Sequence, residues 1–422
     1  MYVVGEAEIE AIAKVIRSGK LFRYHPASEC ERFEKRYASH LGAKEFMLAA
    51  SGTYGVAAGL VGLGIGPGDE VLVPAHTYMA TATAVLAVGA IPVLVEIDES
   101  VTIDPIAMAE AIGPRTRAII PVHMWGAACN MNAIMRVATQ HKLLVLEDAC
   151  QAIGGSYEGR KLGSIGHAGA FSFNFFKNLT AGEGGGVATS DPKVAERARA
   201  AIDPCNFYWN GRSDSVRPFA GIGARATEIT GAMLNVQLDR LDGMISSMRA
   251  EKRRILEGTA HLQKIGLKAS PMNSAEHDCS THVMFLLPTE QAAQTIANTI
   301  PCVIAGKTGR HNFTQWDQVL THEGAHHPAL NPYKLPENKD CRRDLPKGFG
   351  KRSLDIVNRT VMIGTHPGHG TQEIEDTIHN LGVAARMALE GVSANNGELR
   401  KAAPIDMQKY DEVRPEDARA SR

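Results

Sequence analysis

From about residue 45 to residue 200, short apolar runs alternate with stretches whose apolar residues recur at helical spacing. The runs 70–73, 91–96, 118–122, 143–147, 169–173 and 186–189 read as strands, and 77–88, 105–112 and 132–141 as helices. Strands and helices taking turns predict an α/β fold with a mostly parallel central sheet flanked by helices. Residues 6–18 read as a charged amphipathic helix, and a long polar helix is expected from about Thr227 to Arg254. A boundary near residue 245 would close a large domain, 1–245. Beyond it, runs at 283–287, 300–304 and 361–363 and a closing helix at 371–388 suit a smaller C-terminal α/β domain, 246–390. The Gly-, Pro- and His-rich stretch 308–351 reads as loop, and 391–422, poor in large apolar groups, as a mobile tail.

With 422 residues the chain exceeds what one small core can organise, which agrees with two domains. Its 45 Lys and Arg balance 46 Asp and Glu, so no net basic field exists to hold nucleic acid or an anionic membrane. The seven cysteines are scattered and never spaced Cys-x-x-Cys. That pattern argues for reduced thiols in a cytoplasmic protein, and against a disulfide framework or a zinc site. No apolar run approaches the roughly 20 residues that span a bilayer, and the first residues lack the apolar core of a secretory signal.

Ligands of parallel sheets sit beyond the carboxyl ends of the strands, so chemistry is to be sought just after apolar runs. Three places qualify. In Leu146-Glu147-Asp148-Ala149-Cys150-Gln151 a carboxylate ends a strand, and a buried Asp must be paired. A protonated ring nitrogen of pyridoxal 5′-phosphate (PLP) would serve, though an Asp there could equally cap the next turn. In Phe171-Ser172-Phe173-Asn174-Phe175-Phe176-Lys177-Asn178 a lysine follows an aromatic strand and enters the turn Gly182-Glu183-Gly184-Gly185-Gly186. Partial desolvation would lower the pKa of that amine and sharpen it as a nucleophile, whereas a solvated loop lysine is the commoner case. Ser51-Gly52-Thr53 precedes a helical stretch and could cradle a phosphate on backbone N–H groups, with Ser172 adding a hydroxyl; it is also an ordinary cap sequence. Tyr78 follows another strand and could lie against a cofactor ring or simply fill the core. His76, His123 and the His322/His326/His327 group match no metal-ligand spacing and read as structural or surface residues.

Together these passages resemble the DegT/StrS family of sugar aminotransferases, PLP enzymes of fold type I, over about residues 5–388. The resemblance is densest at SGT from residue 51, PGDEVLVPAHTYMATATAV from 67, LEDACQAIGGSYEGRKLGSIG from 146 and FSFNFFKNLTAGEGGGVAT from 171. It implies Lys177 as the Schiff-base lysine, Asp148 at the pyridine nitrogen and Gln151 beside the phenolic oxygen. It further implies Tyr78 on the ring face, and Gly52, Thr53 and Ser172 on the phosphate. Substrate contacts would fall at Arg23, Tyr24, Gly223 and Arg225. The implied reaction takes an amino group from glutamate or glutamine to a keto or aldehyde sugar in a homodimer with shared active sites. Related dehydratases replace the lysine with histidine, and a non-catalytic regulator would have little reason to keep the set. One departure stands out: where relatives carry Asn in Asn-x-Arg-x-x-Glu, this chain has Gly223-Ala224-Arg225-Ala226-Thr227-Glu228.

Overall fold

A computed structural model describes residues 4–211, 215–393 and 399–400. Its strands are β1 (Glu45–Ala49), β2 (Glu70–Pro74), β3 (Ile91–Val95), β4 (Thr116–Ile119), β5 (Leu144–Asp148), β6 (Ser156–Tyr157), β7 (Arg160–Lys161), β8 (Ala168–Ser172) and β9 (Gly185–Thr189), followed by β10 (Lys268–Ala269), β11 (His282–Leu286), β12 (Val303–Ile304) and β13 (Thr360–Gly364). The helices are α1 (Glu6–Ser18), α2 (Glu29–Leu41), α3 (Gly52–Leu63), α4 (Ala80–Ala87), α5 (Pro105–Glu110), α6 (Met131–His141) and α7 (Pro192–Ile202), then α8 (Asn206–Asn210), α9 (Glu228–Thr259), α10 (Glu290–Thr299), α11 (Asp317–Leu320), α12 (Lys351–Arg359) and α13 (Thr371–Glu390).

Seven strands form one sheet in the order β1-β9-β8-β5-β4-β2-β3. Ladders β2–β3, β2–β4, β4–β5 and β5–β8 are parallel, and only β9 runs against its neighbours. β2, β8 and β9 are buried along their whole length, which is why they read as unbroken apolar runs rather than alternating ones. The pleat still sorts them: Val71 and Val73 join the core on one face, Leu72 the core on the other. The four-stranded sheet β10-β11-β13-β12 is antiparallel and packs its own core against α10 and α13.

Most expected elements lie within a few residues of their predicted places, and the differences have local causes. The helix expected at 77–88 begins only at Ala80. Thr77 and Met79 spend their N–H groups on the carbonyls of His311 and Arg310, at 3.0 and 3.1 Å. The strand expected at 300–304 shrinks to β12, paired with β13. The stretch 308–351 holds several 3₁₀ turns and the one-turn α11, and it is tied down: Arg342 Nε lies 3.1 and 3.0 Å from the two oxygens of the buried Glu70. Position 245 falls inside α9, a continuous helix of 32 residues. Most of the expected tail lies outside the described residues, but Arg400 exchanges hydrogen bonds with Asn380 of α13, at 2.9 and 2.8 Å.

β8 and the turn before it are built around absent side chains. A Cβ on Gly169 would overlap the carbonyl of Gly163, whose own N–H donates to buried Glu147 at 2.9 Å. Neither backbone can retreat without breaking that bond. Gly169→Ala is therefore expected to cost about 1–3 kcal/mol or more, read as a lower midpoint of urea unfolding of the cofactor-loaded protein.

Candidate active site

The pleat sends consecutive carboxylates of β5 to different tasks. Glu147, fully buried, accepts N–H groups of Gly163, Ile165 and Gly166 at 2.9, 2.5 and 2.6 Å. His123 adds a fourth bond at 3.0 Å. The other ring nitrogen of His123 accepts the Cys129 N–H at 3.1 Å, so Nε2 carries the proton and donates it to Glu147. The charge of Glu147 is thus consumed in fixing the loop between β7 and β8.

Asp148 is only 5 % exposed at the carboxyl end of β5. Thr81 Oγ1 donates to its Oδ2 at 2.8 Å and the Cys150 N–H to its Oδ1 at 3.1 Å, while Thr77 braces Thr81 at 3.0 Å. β8 lies directly beside β5, with Ala170 paired to Asp148. Beyond β8 the chain makes the tight loop that carries half-buried Lys177, closed by Phe173 N–H to Gly184, Phe175 N–H to Gly182 and Lys177 N–H to Asn174. Lys177 is felt on both sides. Burial, then the charge of Asp148, pushes the Cys150 thiol well up, and Lys177 opposes that rise. Burial pushes His311 down to about 4, with Lys177 and Arg310 adding to the fall and a hydrogen bond to the Thr308 carbonyl opposing it. An amine, a buried carboxylate and a neutral imidazole thus share one end of the sheet.

The anion cup lies next to them. β1 delivers Ser51 as the N-cap of α3, its hydroxyl accepting the Tyr54 N–H at 3.2 Å. The N–H groups of a first helical turn have no partner within the helix and face an anion favourably. A Cβ on Gly52 would stand 2.5 Å from Ser172 Cβ and 2.9 Å from its hydroxyl, and one on Gly185 would overlap the Ser51 backbone. Gly52 and Ser172 are therefore in contact, with exposed Thr53 beside them. Phosphate cup, buried carboxylate and lysine on one edge fit PLP: Gly52, Thr53 and Ser172 would hold its phosphate, Asp148 its ring nitrogen and Lys177 its aldehyde carbon.

The sequence reading missed a second wall. Residues 309–312 pair with the end of β2 through a bridge between His76 and Asn312, and Phe313 N–H reaches the Ala75 carbonyl at 3.1 Å. This sets the His311 ring 5.5 Å from Tyr78 and the Arg310 guanidinium over the Tyr78 ring at 5.6 Å. Trp125 lies 4.6 Å from His311, and its N–H donates to Gln151 Oε1 at 3.1 Å. Thr81, four residues after Thr77, carried a faint helical-spacing signal. Arg310 and His311 carried none, because their place depends on a pairing some 230 residues away in sequence.

The four residues implied in substrate binding fall in two places, joined where Tyr24 and Arg225 meet Asp203. Ala224 accepts the Ala50 N–H at 2.8 Å, which places Gly223 and Arg225 beside the approach to Ser51. Tyr24 donates to buried Asp203, and Arg225 lies 3.3 Å from the same carboxylate. The Tyr24 hydroxyl is pushed up by burial and by that bond. Arg23 is drawn inward instead: its guanidinium pairs with Glu34 at 2.9 Å, which raises its pKa despite burial. Arg23 thus carries an ion pair within the chain while also lining a cavity. Gly223 has φ +77, with open space where a Cβ would be. A cavity of about 420 Å³ borders Arg23, Tyr24 and Trp209. Another of about 680 Å³ opens at the amino ends of β5 and β8, against Leu144 and Ala168. His322 bonds the Arg343 carbonyl at 3.1 Å, and among the described residues no group of three or more His, Cys, Asp or Glu is placed to hold a metal. Among those residues, too, no helix is long and apolar enough to cross a membrane.

This architecture, with its edge of cup, carboxylate and lysine, defines a PLP enzyme of fold type I. The chain belongs to the DegT/DnrJ/EryC1/StrS aminotransferase family, whose model matches residues 3–302, and it is a PLP-dependent transaminase. It is 41% identical over 385 residues to the spore coat polysaccharide biosynthesis protein SpsC of Bacillus subtilis, covering 89% of this chain and 94% of that protein. It is 40% identical over 283 residues to dTDP-3-amino-3,4,6-trideoxy-alpha-D-glucose transaminase of Streptomyces venezuelae, covering 67% and 72%. Among solved structures it superposes on S. venezuelae DesV, determined with a ketimine intermediate, with a TM-score of 0.69 and 30% identity, over 90% of this chain and 94% of that one. An aminotransferase of Psychrobacter cryohalolentis gives a TM-score of 0.76 at 25% identity, over 91% and 98%.

The cup makes a direct prediction. Gly52→Ala forces its new methyl against Ser172 and is expected to weaken PLP binding at least about tenfold, the loss of one charge-assisted hydrogen bond. Equilibrium dialysis of the cofactor measures this, and unchanged binding would remove Gly52 from the phosphate site.

Proposed function

We propose that this enzyme moves an amino group from glutamate or glutamine to the keto or aldehyde carbon of a sugar or sugar acid in a ping-pong cycle. The observation that carries the reading is the place of Asp148, at the end of β5 and paired with Ala170 of β8, the strand from which the Lys177 loop leaves. When bound, PLP supplies an electron sink for the substrate carbon. The Lys177 amine removes the proton from the donor's α-carbon as general base and, in the second half of the cycle, returns one to the acceptor carbon. Asp148, its oxygens fixed by Thr81 and the Cys150 N–H, holds the proton on the cofactor's ring nitrogen. Gln151 would face the phenolic oxygen, Tyr78 would lie against the ring, and Gly52, Thr53 and Ser172 would anchor the phosphate.

A sugar acceptor is supported by the relatives, which include the dTDP-amino-sugar transaminase and a GDP-perosamine synthase of Caulobacter vibrioides, 42% identical over 215 residues, 50% of this chain and 56% of that protein. Within the family, Phe22-Arg23-Tyr24, the passage from Glu147 to Tyr157 and Phe285-Leu286-Leu287-Pro288-Thr289 most resemble the aminotransferase that makes 8-amino-3,8-dideoxy-octulosonate, which favours a sugar acid. A homodimer is part of the same reading, and Leu21, Phe22, Tyr208, Trp209 and Ile222 are exposed apolar residues, with the Phe22, Tyr208 and Trp209 rings clustered together.

Borohydride reduction followed by peptide mapping should mark Lys177, and a label on any other lysine would overturn the assignment. Lys177→Ala should keep PLP through its phosphate yet lose roughly 10²–10⁴-fold in turnover. Asp148→Asn should bind PLP and slow by at least about tenfold, the worth of one charge-assisted hydrogen bond. Sedimentation at falling concentration tests the dimer; an active, PLP-loaded monomer would refute shared sites. Gly223→Asn is a milder probe, because φ +77 is strained for most side chains and least so for Asn. It should fold with a slightly lower melting temperature and keep or tighten PLP binding, and a loss of amination with PLP retained would mean that the glycine makes room for the acceptor.

A further inference from the structure

Trp125 has φ 53 and ψ 29, the left-handed region that a bulky aromatic rarely occupies, and the next residue, Gly126, has φ 86. Such strain persists only where the surroundings over-determine the conformation. Here each group of Trp125 is engaged. Its carbonyl accepts Thr281 Oγ1 at 2.7 Å, its indole N–H donates to His76 Nε2 at 3.3 Å, and its ring lies 4.6 Å from His311 and 5.3 Å from His282. A Cβ on Gly126 would stand 3.0 Å from the Thr281 nitrogen, so the backbone is also hemmed in from that side. His76 suits its part: burial, helped by His311, holds it down at about 3, so its ring stays neutral and its Nε2 lone pair remains available to the indole.

What this clamp produces is a backbone N–H aimed at one atom, Gln151 Oε1, at 3.1 Å. A carboxamide has one acceptor and one donor end. With the oxygen held by Trp125, the end left to present is the NH₂ group. A Gln151 free to flip would offer its oxygen half the time, and an oxygen against a phenolate oxygen is repulsive.

We infer that Trp125 is a positioning residue: its clamped, left-handed backbone fixes the amide of Gln151 so that a donor, never an acceptor, faces the phenolic oxygen of the cofactor. The inference rests on the proposed place of Gln151 beside that oxygen. A donor there stabilises the ionised phenolic group, so losing it moves the pH at which the bound cofactor's visible absorbance changes. The titratable and charged groups at this end of the sheet are Asp148, Cys150, Lys177, Arg310 and the histidines His76, His282 and His311, and a change at Trp125 substitutes none of them.

The test is a pH titration of the visible band of the cofactor-loaded enzyme without substrate. Gln151→Ala should shift the midpoint by about one pH unit, the scale of one hydrogen bond. Trp125→Ala should shift it in the same direction, and Trp125→Phe, which keeps a ring but loses the bond to His76, should do so by a smaller amount. The double variant Trp125→Ala/Gln151→Ala should move no further than Gln151→Ala alone, because the two act through one amide. If Gln151→Ala leaves the midpoint unmoved, the placement of Gln151 fails and the inference falls with it. If Gln151→Ala shifts it while the Trp125 variants do not, or the double variant is additive, only the role of Trp125 is overturned. Should Trp125→Ala fail to fold, Trp125→Phe alone decides, since a wild-type midpoint in that variant means the clamp does not orient the amide.

Discussion

A carboxylate buried at 5 % exposure must be paired or lose its charge, and the active edge is arranged around that demand of Asp148. Two neutral donors, Thr81 and the Cys150 N–H, meet part of it. They fix the direction of the carboxylate without neutralising it. In the proposed reading a cationic ring nitrogen would complete the site, an electrostatic interaction that the fold would hold in reserve for the cofactor. The lysine is carried separately, on the tight loop that leaves β8 beside β5.

The neighbouring Glu147 shows the opposite solution. Three backbone N–H groups and His123 satisfy it completely within the chain. Its effect is structural: the loop from Gly163 to Gly166 is pinned under β8, and β8 then presents Ser172 to Gly52 and feeds the Lys177 loop. One residue along a strand thus separates a carboxylate that builds the platform from one left open to a ligand. The period-two geometry of the strand is what makes two such roles compatible in adjacent positions.

Much of the large sheet was legible because its strands are buried on both faces and so stand out as short apolar runs, and because Ser51, Asp148 and Lys177 follow such runs. That rule pointed to Gly52, Ser172, Asp148 and Tyr78 as candidates, and the resemblance added Gln151. What stayed hidden is non-local. Arg310 and His311 belong to a segment with no periodicity, and their position comes from backbone pairing with Thr77, Met79 and the bridge at His76. Arg23 is a second case: the resemblance implies a substrate contact, and the structure adds an ion pair to the buried Glu34 beside a cavity. No pattern along the chain distinguishes an arginine that meets a ligand from one that meets a partner eleven residues on.

These non-local contacts also determine how the two sheets share the site. Thr281, just before β11, holds the carbonyl of Trp125; residues 309–313 hold the end of β2 and the flank of Tyr78. Segments flanking the second sheet thus brace Trp125 and Tyr78, while Asp148 and Ser172 end strands of the first sheet and Gly52 opens α3. In the proposed arrangement the two parts of the chain divide the work, the first holding the cofactor and the second flanking it. That division explains how a segment that reads as plain loop can hold so many buried anchors, Asn312, Asn331 and Asn338 among them. Each anchor fixes the backbone of a wall that carries no part of the hydrophobic sheet pattern, so polar contacts must do there what apolar burial does in the strands.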